Sequence, residues 1–470
     1  MHLKSLLKDI RFWILLFFLI RLVGITNPPL ETGHNWRQTT VTMVARNYLE
    51  IDNNIFYPRV DFAGEKTGIT GMEFPVLNYM IYATAEVFGY QHWYGRLINL
   101  LISSIGIWFF YLLVRKYFSD KTAFYASILL LVSIWFQFSR KIMPDTFSMS
   151  LILAGIYYGT NYLEGKVREK GLWNVLAYFL LITIGVLSKL PSGFILVVFA
   201  FFIFDGKIPM KRKVIFSVAS LVTLFPVVAW YYHWVPKLVE DYGFWHFFMG
   251  KSFLQGIVEI GQNLNLTLSR FYDTALKFSG FALFLFGLYT SIKRRDWKVY
   301  GILAIATLSF AVIIFKAGYT FSHHTYYIVP FAPVMALVAG YGLSQIKSMK
   351  WVVALLVIVG VEGIANQQND FRIKEKNLQI LNLEEDLNKV SDAEEMILIN
   401  SGNYPTPMYF AHRKGWINSN SEIQREGFLD SLQTLGLDYV VILKRSFGSE
   451  ISLEGRKVVL ENGDYCIYEL

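Results

Sequence analysis

Long apolar runs, separated by loops in which Lys and Arg cluster at every second connection, constrain this chain more than any other feature. Runs near 12–25, 97–114, 123–138, 145–163, 175–188, 192–204, 214–232, 277–292, 299–315, 326–345 and 351–366 match or approach the length needed to cross about 30 Å of hydrocarbon. Lipid offers the backbone no hydrogen-bond partners, so such runs must be helical. The sequence thus predicts a mainly α polytopic membrane protein with about eleven transmembrane helices. Composition agrees, since 54% of the 470 residues are hydrophobic and only 17% charged, more apolar sequence than a soluble core needs. The net charge of +8 does not indicate nucleic acid, because the basic residues sit in short clusters between apolar runs, the pattern that writes membrane topology. The single cysteine, Cys466, excludes an internal disulfide or a thiolate metal cluster.

The basic clusters set the orientation. Arg115-Lys116…Lys121, Lys166…Arg168…Lys170, Lys207…Lys211-Arg212-Lys213, Lys293-Arg294-Arg295 and Lys347…Lys350 fall in alternate loops, which places them and the N-terminus in the cytoplasm. Lys4, Lys8 and Arg11 precede the first run with no small-residue cleavage site after it, as in an uncleaved signal-anchor. An odd number of spans then leaves the C-terminus outside. Two domains are predicted: a transmembrane domain over 1–366 and an extracytoplasmic α/β domain over 367–470. In the latter, Ile380, Leu383, Leu387 and Val390 suggest a helix. Met396–Ile399, Asp438–Leu443, Lys457–Leu460 and Tyr465–Glu469 read as strands, and Ser421–Leu435 as a helix with a Ser421…Gln424 capping box and Gly436 as its stop.

The outside loops carry the chemistry. The stretch Glu31-Thr-Gly-His-Asn-Trp-Arg-Gln38 packs an acid, an imidazole, an indole and a guanidinium into a few residues just beyond the first run. It leads into a predicted helix over Arg37–Glu50, lying on the membrane surface, and then into a short apolar segment, Pro75–Phe88, read as interfacial or re-entrant. The loop at 233–276 is rich in aromatics (Trp234, Tyr242, Phe244, Trp245, Phe247, Phe248), as expected at headgroup depth. Several cations depart from the positive-inside pattern: Arg96, Arg140-Lys141, Lys189 and Lys316. With Glu31, His34, Arg37, Asp61, Glu73, Asp145 and His323-His324 they form a mixed acid and base set on one side of the membrane. Charges at that depth are costly and mark pairs or binding sites. The mixture suits a reaction with an anionic leaving group and a proton to remove.

Each residue also has a plain structural reading. Arg96 and Lys189 could snorkel to headgroups, Asp145 could cap the next helix, Asp61 and Glu65 read as solvated loop acids, and His323-His324 as interfacial polarity, since neighbours on a regular element point apart. Trp36 serves equally as an interfacial anchor or a stacking platform for sugar or prenyl carbons. Met249-Gly-Lys-Ser252 resembles the end of a phosphate loop, but Trp245 stands where the first glycine belongs, so no nucleotide site is read there. Glu31, Glu73 and Asp145 are the carboxylates available as a general base. Arg37 and Gln38 stand at a helix start, whose positive end suits a phosphate. The residue types also admit a divalent ion bridging Glu73 or Asp145 to a His.

Taken in order, Glu31…His34-x-Trp-Arg-Gln38, Met72-Glu-Phe-Pro75, Tyr94-Gly-Arg-Leu97, Arg140…Pro-Asp145, Leu187-Ser-Lys189 and Tyr326-Tyr…Pro330 resemble the C-type glycosyltransferases. Within these, the chain is most similar to the protein O-mannosyltransferase and lipid A aminoarabinose transferase branch. The resemblance covers about the first 350 residues and leaves the terminal domain undiagnosed. It implies transfer of a sugar, with inversion, from a polyprenyl-phosphate carrier to an acceptor hydroxyl on a glycan, lipid or protein, at the outer face of the cytoplasmic membrane. It also implies Glu31 as base, Glu73 as a second acid, and Arg96, Arg140 and Lys189, with Arg37, at the donor phosphate. His34, Trp36, Gln38, His324 and Tyr327 are the expected sugar or acceptor contacts. The chain departs from the family in having Thr32 where an acidic neighbour to Glu31 is common. A flippase or transporter of lipid-linked glycans is the alternative. Transporters favour midplane charges and internal repeats, whereas the charges here lie near one interface and no repeat is visible.

Overall fold

Where the chain is apolar it forms helices, and their lengths fall into two classes. The computed structural model describes residues 3–165, 171–244 and 250–470. The basic loop residues Lys166, Arg168 and Lys170, the aromatics Trp245, Phe247 and Phe248, and Met249 of the discarded phosphate-loop match lie outside the described residues. Six helices among the described residues are long and apolar enough to cross a membrane: Tyr94–Tyr117, Gly171–Ser188, Met210–Tyr242, Trp297–Ala317, Thr325–Ser344 and Met349–Phe371. A seventh crossing arises if Leu264–Ala275 and Lys277–Lys293, bent by 92° at their junction, count as one. The protein is an integral membrane protein. The remaining predicted runs form shorter or more polar helices. Ile10–Arg21 has 12 residues and Asp120–Val132 has 13, about 18–20 Å at the helical rise. Ser133, whose hydroxyl accepts from the Trp135 N–H, caps a new short helix there.

The chain divides into two compact units. The first comprises Met1–Ile25, Arg96–His233 and Phe248–Gln368. Its helices pack closely where small residues allow it. A Cβ on Gly185 would stand 2.8 Å from Ile152 Cγ1, so only glycine lets the Gly171–Ser188 and Pro144–Glu164 helices approach this far.

The second unit comprises Thr26–Gly95, Trp234–Phe247 and Asn369–Leu470. Its centre is a five-stranded sheet of order β2-β1-β3-β5-β4, with β1 Met396–Ile399, β2 Gly415–Ile417, β3 Leu437–Leu443, β4 Lys457–Glu461 and β5 Tyr465–Glu469. The first three strands are parallel, and β5 runs antiparallel to β3 and β4. Alternation along the strands serves two cores. Ile397, Ile399, Tyr439, Val441 and Ile467 pack with Leu30, Met43, Val44, Tyr48 and Val60. Leu398, Val440, Ile442 and Cys466 pack with Ile423 and Leu432. Residues between 30 and 60 thus cover one face of a sheet made more than 300 positions later. Division by chain order at 366/367 and division by packing are therefore different, because these apolar side chains find their burial on the sheet.

Local details differ from the sequence reading. The helix expected over Ser421–Leu435 is two short helices, Asn420–Ile423 and Phe428–Gln433, broken at Gly427 with φ +72°. The capping box is Ser419 with Glu422, not Ser421 with Gln424, because the helix starts two residues earlier. Strand β2 and the helix Thr406–Ala411 were not foreseen, since both are too short to show a period.

Candidate active site

In the second unit, the Glu31–Gln38 stretch is a buried turn. Glu31 is 1% exposed and forms an isolated antiparallel bridge with Ile373, while the Thr32 N–H donates to the Arg372 carbonyl at 2.9 Å. Gly33 and His34 both adopt left-handed φ, +80° and +58°, which turns the chain into the helix Asn35–Glu50. The helix starts two residues before the predicted Arg37. The amides of Arg37 and Gln38, offered by the sequence reading to a phosphate, both donate to the His34 carbonyl at 3.1 Å. This helix is largely enclosed by protein. Twelve of its 16 residues are buried, because its Thr39, Thr40 and Thr42 hydroxyls donate to carbonyls one turn back and so carry no unmet polarity inward. Trp36 and His34 are half-buried, and Gln38 is fully buried.

Glu73 lies just before the helix Val76–Phe88 and accepts a hydrogen bond from Arg37 Nη2, forming a salt bridge. Both side chains are 5% exposed. A second buried network corrects the reading of Asp61. Its carboxylate is not solvated but accepts from Arg46 Nη2 at 2.8 Å and Asn47 Nδ2 at 2.6 Å; Arg46 Nη1 also donates to the Tyr409 carbonyl at 3.0 Å. Glu65 is exposed, as read. Arg46 was missed because it sits at ordinary helical spacing, and only its burial distinguishes it.

In this unit His412 bridges two carboxylates. His412, in left-handed conformation with φ 49°, has Nε2 2.9 Å from Glu50 Oε2 and Nδ1 2.7 Å from Glu384 Oε1. The hydrogen bond to Glu50 chiefly raises its pKa, opposed by burial and by the positive charge of Arg46. The folded state therefore binds the proton more tightly, so this stabilisation is full below the ordinary histidine value of about 6.5 and is lost as pH rises through the higher folded value. Thermal unfolding should show wild type losing stability between pH 6 and pH 9 relative to His412→Gln; parallel profiles would count against the triad.

In the first unit, the exceptional cations Arg96, Arg140, Lys141 and Lys189 are also buried, whereas Lys316 is half-buried. Arg96 is 0% and Lys189 4% exposed, so neither snorkels to headgroups. Arg96 Nη1 donates to the Ile25 carbonyl at 3.4 Å. Arg140 Nη1 and Nη2 donate to the Val23 and Gly24 carbonyls at 2.6 and 3.0 Å. Asn99, one helical turn after Arg96, donates through Nδ2 to the carbonyls of Phe138, Lys141 and Met143 and fixes the turn that carries Arg140. Neither Asn99 nor Arg21 was foreseen. Arg21 is fully buried and donates to Ser139 Oγ and to the Phe17 carbonyl. Its signal was present in the sequence as a charge within the first apolar run.

Asp145, 1% exposed, occupies the first turn of Pro144–Glu164, with Met143 rather than Asp145 as its N-cap. A carboxylate in that turn is favoured by the helix dipole. Lys189 Nζ lies 3.9 Å from Asp145 Oδ1 and over the rings of Tyr326 and Tyr327 at 5.5 and 5.7 Å. His324 stacks on Tyr326 at 5.4 Å, whereas His323 stacks on Tyr319 at 3.6 Å, so the adjacent histidines address different rings. The structure thus gathers Asp145, Lys189, His324 and Tyr327 in one unit and Glu31, His34, Trp36, Arg37, Gln38 and Glu73 in the other. Among the described residues, no group of three or more His, Cys, Asp or Glu side chains is arranged to hold a metal.

The fold as a whole has a match among known structures. Along most of its length the chain is similar to ArnT from Cupriavidus metallidurans bound to undecaprenyl phosphate, with TM-score 0.61 over 97% of this chain and 98% of that one at 14% identity. The chain has the C-type glycosyltransferase fold. It is also similar to the oligosaccharyltransferase of Archaeoglobus fulgidus, solved with a tethered acceptor peptide, at TM-score 0.54 and 16% identity over 92% of this chain and 69% of that one. Residues 73–233 match the family described as dolichyl-phosphate-mannose-protein mannosyltransferase. No curated protein sequence matches.

Proposed function

We propose that this C-type fold carries an inverting glycosyltransferase that moves a sugar from a polyprenyl-phosphate donor to an acceptor hydroxyl at the outer face of the cytoplasmic membrane. The observation that carries the reading is the buried Lys189–Asp145 pair, 3.9 Å apart within the membrane unit and roofed by Tyr326 and Tyr327. An ammonium and a carboxylate withdrawn from water at membrane depth are expensive unless they do chemistry or hold a ligand. The undecaprenyl phosphate bound to ArnT and the acceptor peptide tethered to the oligosaccharyltransferase support a lipid-linked donor and a separate acceptor.

In this reaction the acceptor oxygen forms a bond to the anomeric carbon from the face opposite the leaving group. The bond from that carbon to the phosphate oxygen breaks, its electron pair stays on the phosphate, and the hydroxyl proton passes to a carboxylate. Single displacement inverts the centre. We read Glu31 as the base that takes the proton, with Glu73 in the same unit and Asp145 in the first unit as the other candidate carboxylates. Lys189, Arg37, Arg96 and Arg140 offset the phosphate charge. His34, Trp36, Gln38, His324 and Tyr327 contact the sugar or acceptor.

The purified protein in lipid nanodiscs, supplied with a polyprenyl-phosphate sugar, should yield a glycosylated acceptor of inverted anomeric configuration by NMR. Carrier lipids co-purifying with it should carry a phosphate-linked sugar by mass spectrometry. Lys189→Met should lower kcat/KM by roughly 10²–10³-fold, the effect of removing one donor to developing negative charge. Vesicle transport of the lipid with no glycosyl product would overturn the reading.

A further inference from the structure

The sheet unit carries an open pocket of about 510 Å³ at the carboxyl ends of the parallel strands, remote in sequence from every residue assigned above. The loops after β1, β2 and β3 line it. In open α/β sheets, ligands bind beyond the carboxyl ends of parallel strands where the chain order reverses. Here β1 and β3 are parallel neighbours; the connection from β1 runs to β2 on one side and the connection from β3 runs to β4 on the other, so the crevice opens between them. The volume falls within the range of about 300–1,000 Å³ usual for small-molecule sites.

The walls are built rather than incidental. Asn400, 2% exposed, donates through Nδ2 to Asn420 Oδ1 and to the Leu443 and Ser449 carbonyls, and its Oδ1 accepts from the Leu443 N–H at 2.7 Å. One amide thus locks all three loops. Gly448 is required for this, because a Cβ there would come within 2.8 Å of the Asn400 amide. Phe447 holds a left-handed φ of 66°, a conformation costly for a bulky residue and typical of ligand clamps. It turns its ring toward Tyr404, with centroids 6.1 Å apart.

The lining chemistry selects the ligand class. Among the described residues lining the cavity, none is charged; they are Asn, Ser, Gly, Tyr and Phe. A phosphate, nucleotide or peptide terminus would find no counter-charge. Neutral hydroxyls would find planar amides and serine hydroxyls that both donate and accept, and C–H faces would find aromatic rings. Tyr404 is 51% exposed and Asn403 is exposed. Neither side chain makes a hydrogen bond among the described residues, which leaves both for a ligand. We infer that this cavity is a binding site for a neutral glycan, separate from the transfer chemistry.

Binding can be read on the full-length protein in nanodiscs with no donor lipid present, so failure of the transferase reading would leave the result intact. Mannotriose and chitotriose serve as probes by saturation-transfer NMR and titration. At least one should receive saturation on its ring protons. Tyr404→Ala should weaken its binding at least 10-fold and Asn403→Ala several-fold, while Tyr404→Phe retains most of it. Both tyrosine variants should unfold at the wild-type Tm, since the side chain is exposed. The inference is overturned if neither trisaccharide binds at millimolar concentration, if Tyr404→Ala binds as wild type does, or if inorganic phosphate competes for the site.

Discussion

Glu31→Gln should lower kcat for sugar transfer by roughly 10²–10⁴-fold, the usual contribution of a positioned general base, with little change in thermal stability. The substitution keeps the volume and both polar ends of the side chain, and the residue's position is fixed by backbone, through the bridge to Ile373 and the Thr32 to Arg372 bond. Only the ability to accept a proton is lost. Because Thr32 replaces the acid common beside this position in the resembled family, no neighbouring carboxylate stands ready to substitute. Steady-state transfer and single-turnover rates measured on matched preparations would check this. Full activity in Glu31→Gln would move the base to Glu73 or Asp145.

Arg37→Met should destabilise the protein by about 3–5 kcal/mol, because it strands the Glu73 carboxylate in a buried site, where both partners are 5% exposed. Glu73→Met should cost a similar amount for the converse reason. The double variant Arg37→Met/Glu73→Met should recover most of the stability, since apolar replacement of a whole buried pair is often neutral or better. Transfer should stay lost in all three. That divergence separates a structural pair from a working one, because a purely structural pair would regain activity together with the fold. A double variant that is both stable and active would remove Arg37 and Glu73 from the site. Chemical unfolding and initial-rate assays on the same samples decide it.

The legible part of this protein is the part written in runs. Apolar stretches near 97–114, 299–315 and 351–366 became crossing helices because lipid leaves an apolar chain no other way to satisfy its backbone. Charges such as Arg96, Arg140 and Lys189, which depart from the positive-inside pattern of the sequence, were visible for the same reason, as exceptions to a costly rule. Strands β1, β3, β4 and β5 showed through alternation and β-branched residues. Strand β2 did not, since Gly-Trp-Ile carries no period.

What the sequence could not express is partnership at long range. Asp61 reads as a loop acid until Arg46 and Asn47 are seen to hold it. Asn99 reads as one polar residue in a span until its amide is found on three carbonyls some 40 positions away. The Asn35–Glu50 helix reads as amphipathic because its Thr residues look exposed, yet their hydroxyls return to the helix backbone and leave all its sides free to be buried.

By itself, then, the sequence determined the membrane class and the existence of its helices, and marked the unusual charges, because hydrophobic length and charge placement act locally along the chain. Only the tertiary structure decided that residues 30–60 and the terminal strands share one core, that Arg37 pairs with Glu73, and that Lys189 stands beside Asp145. Those are consequences of burial, which forces each apolar face and each charge to find a partner wherever in the chain one exists.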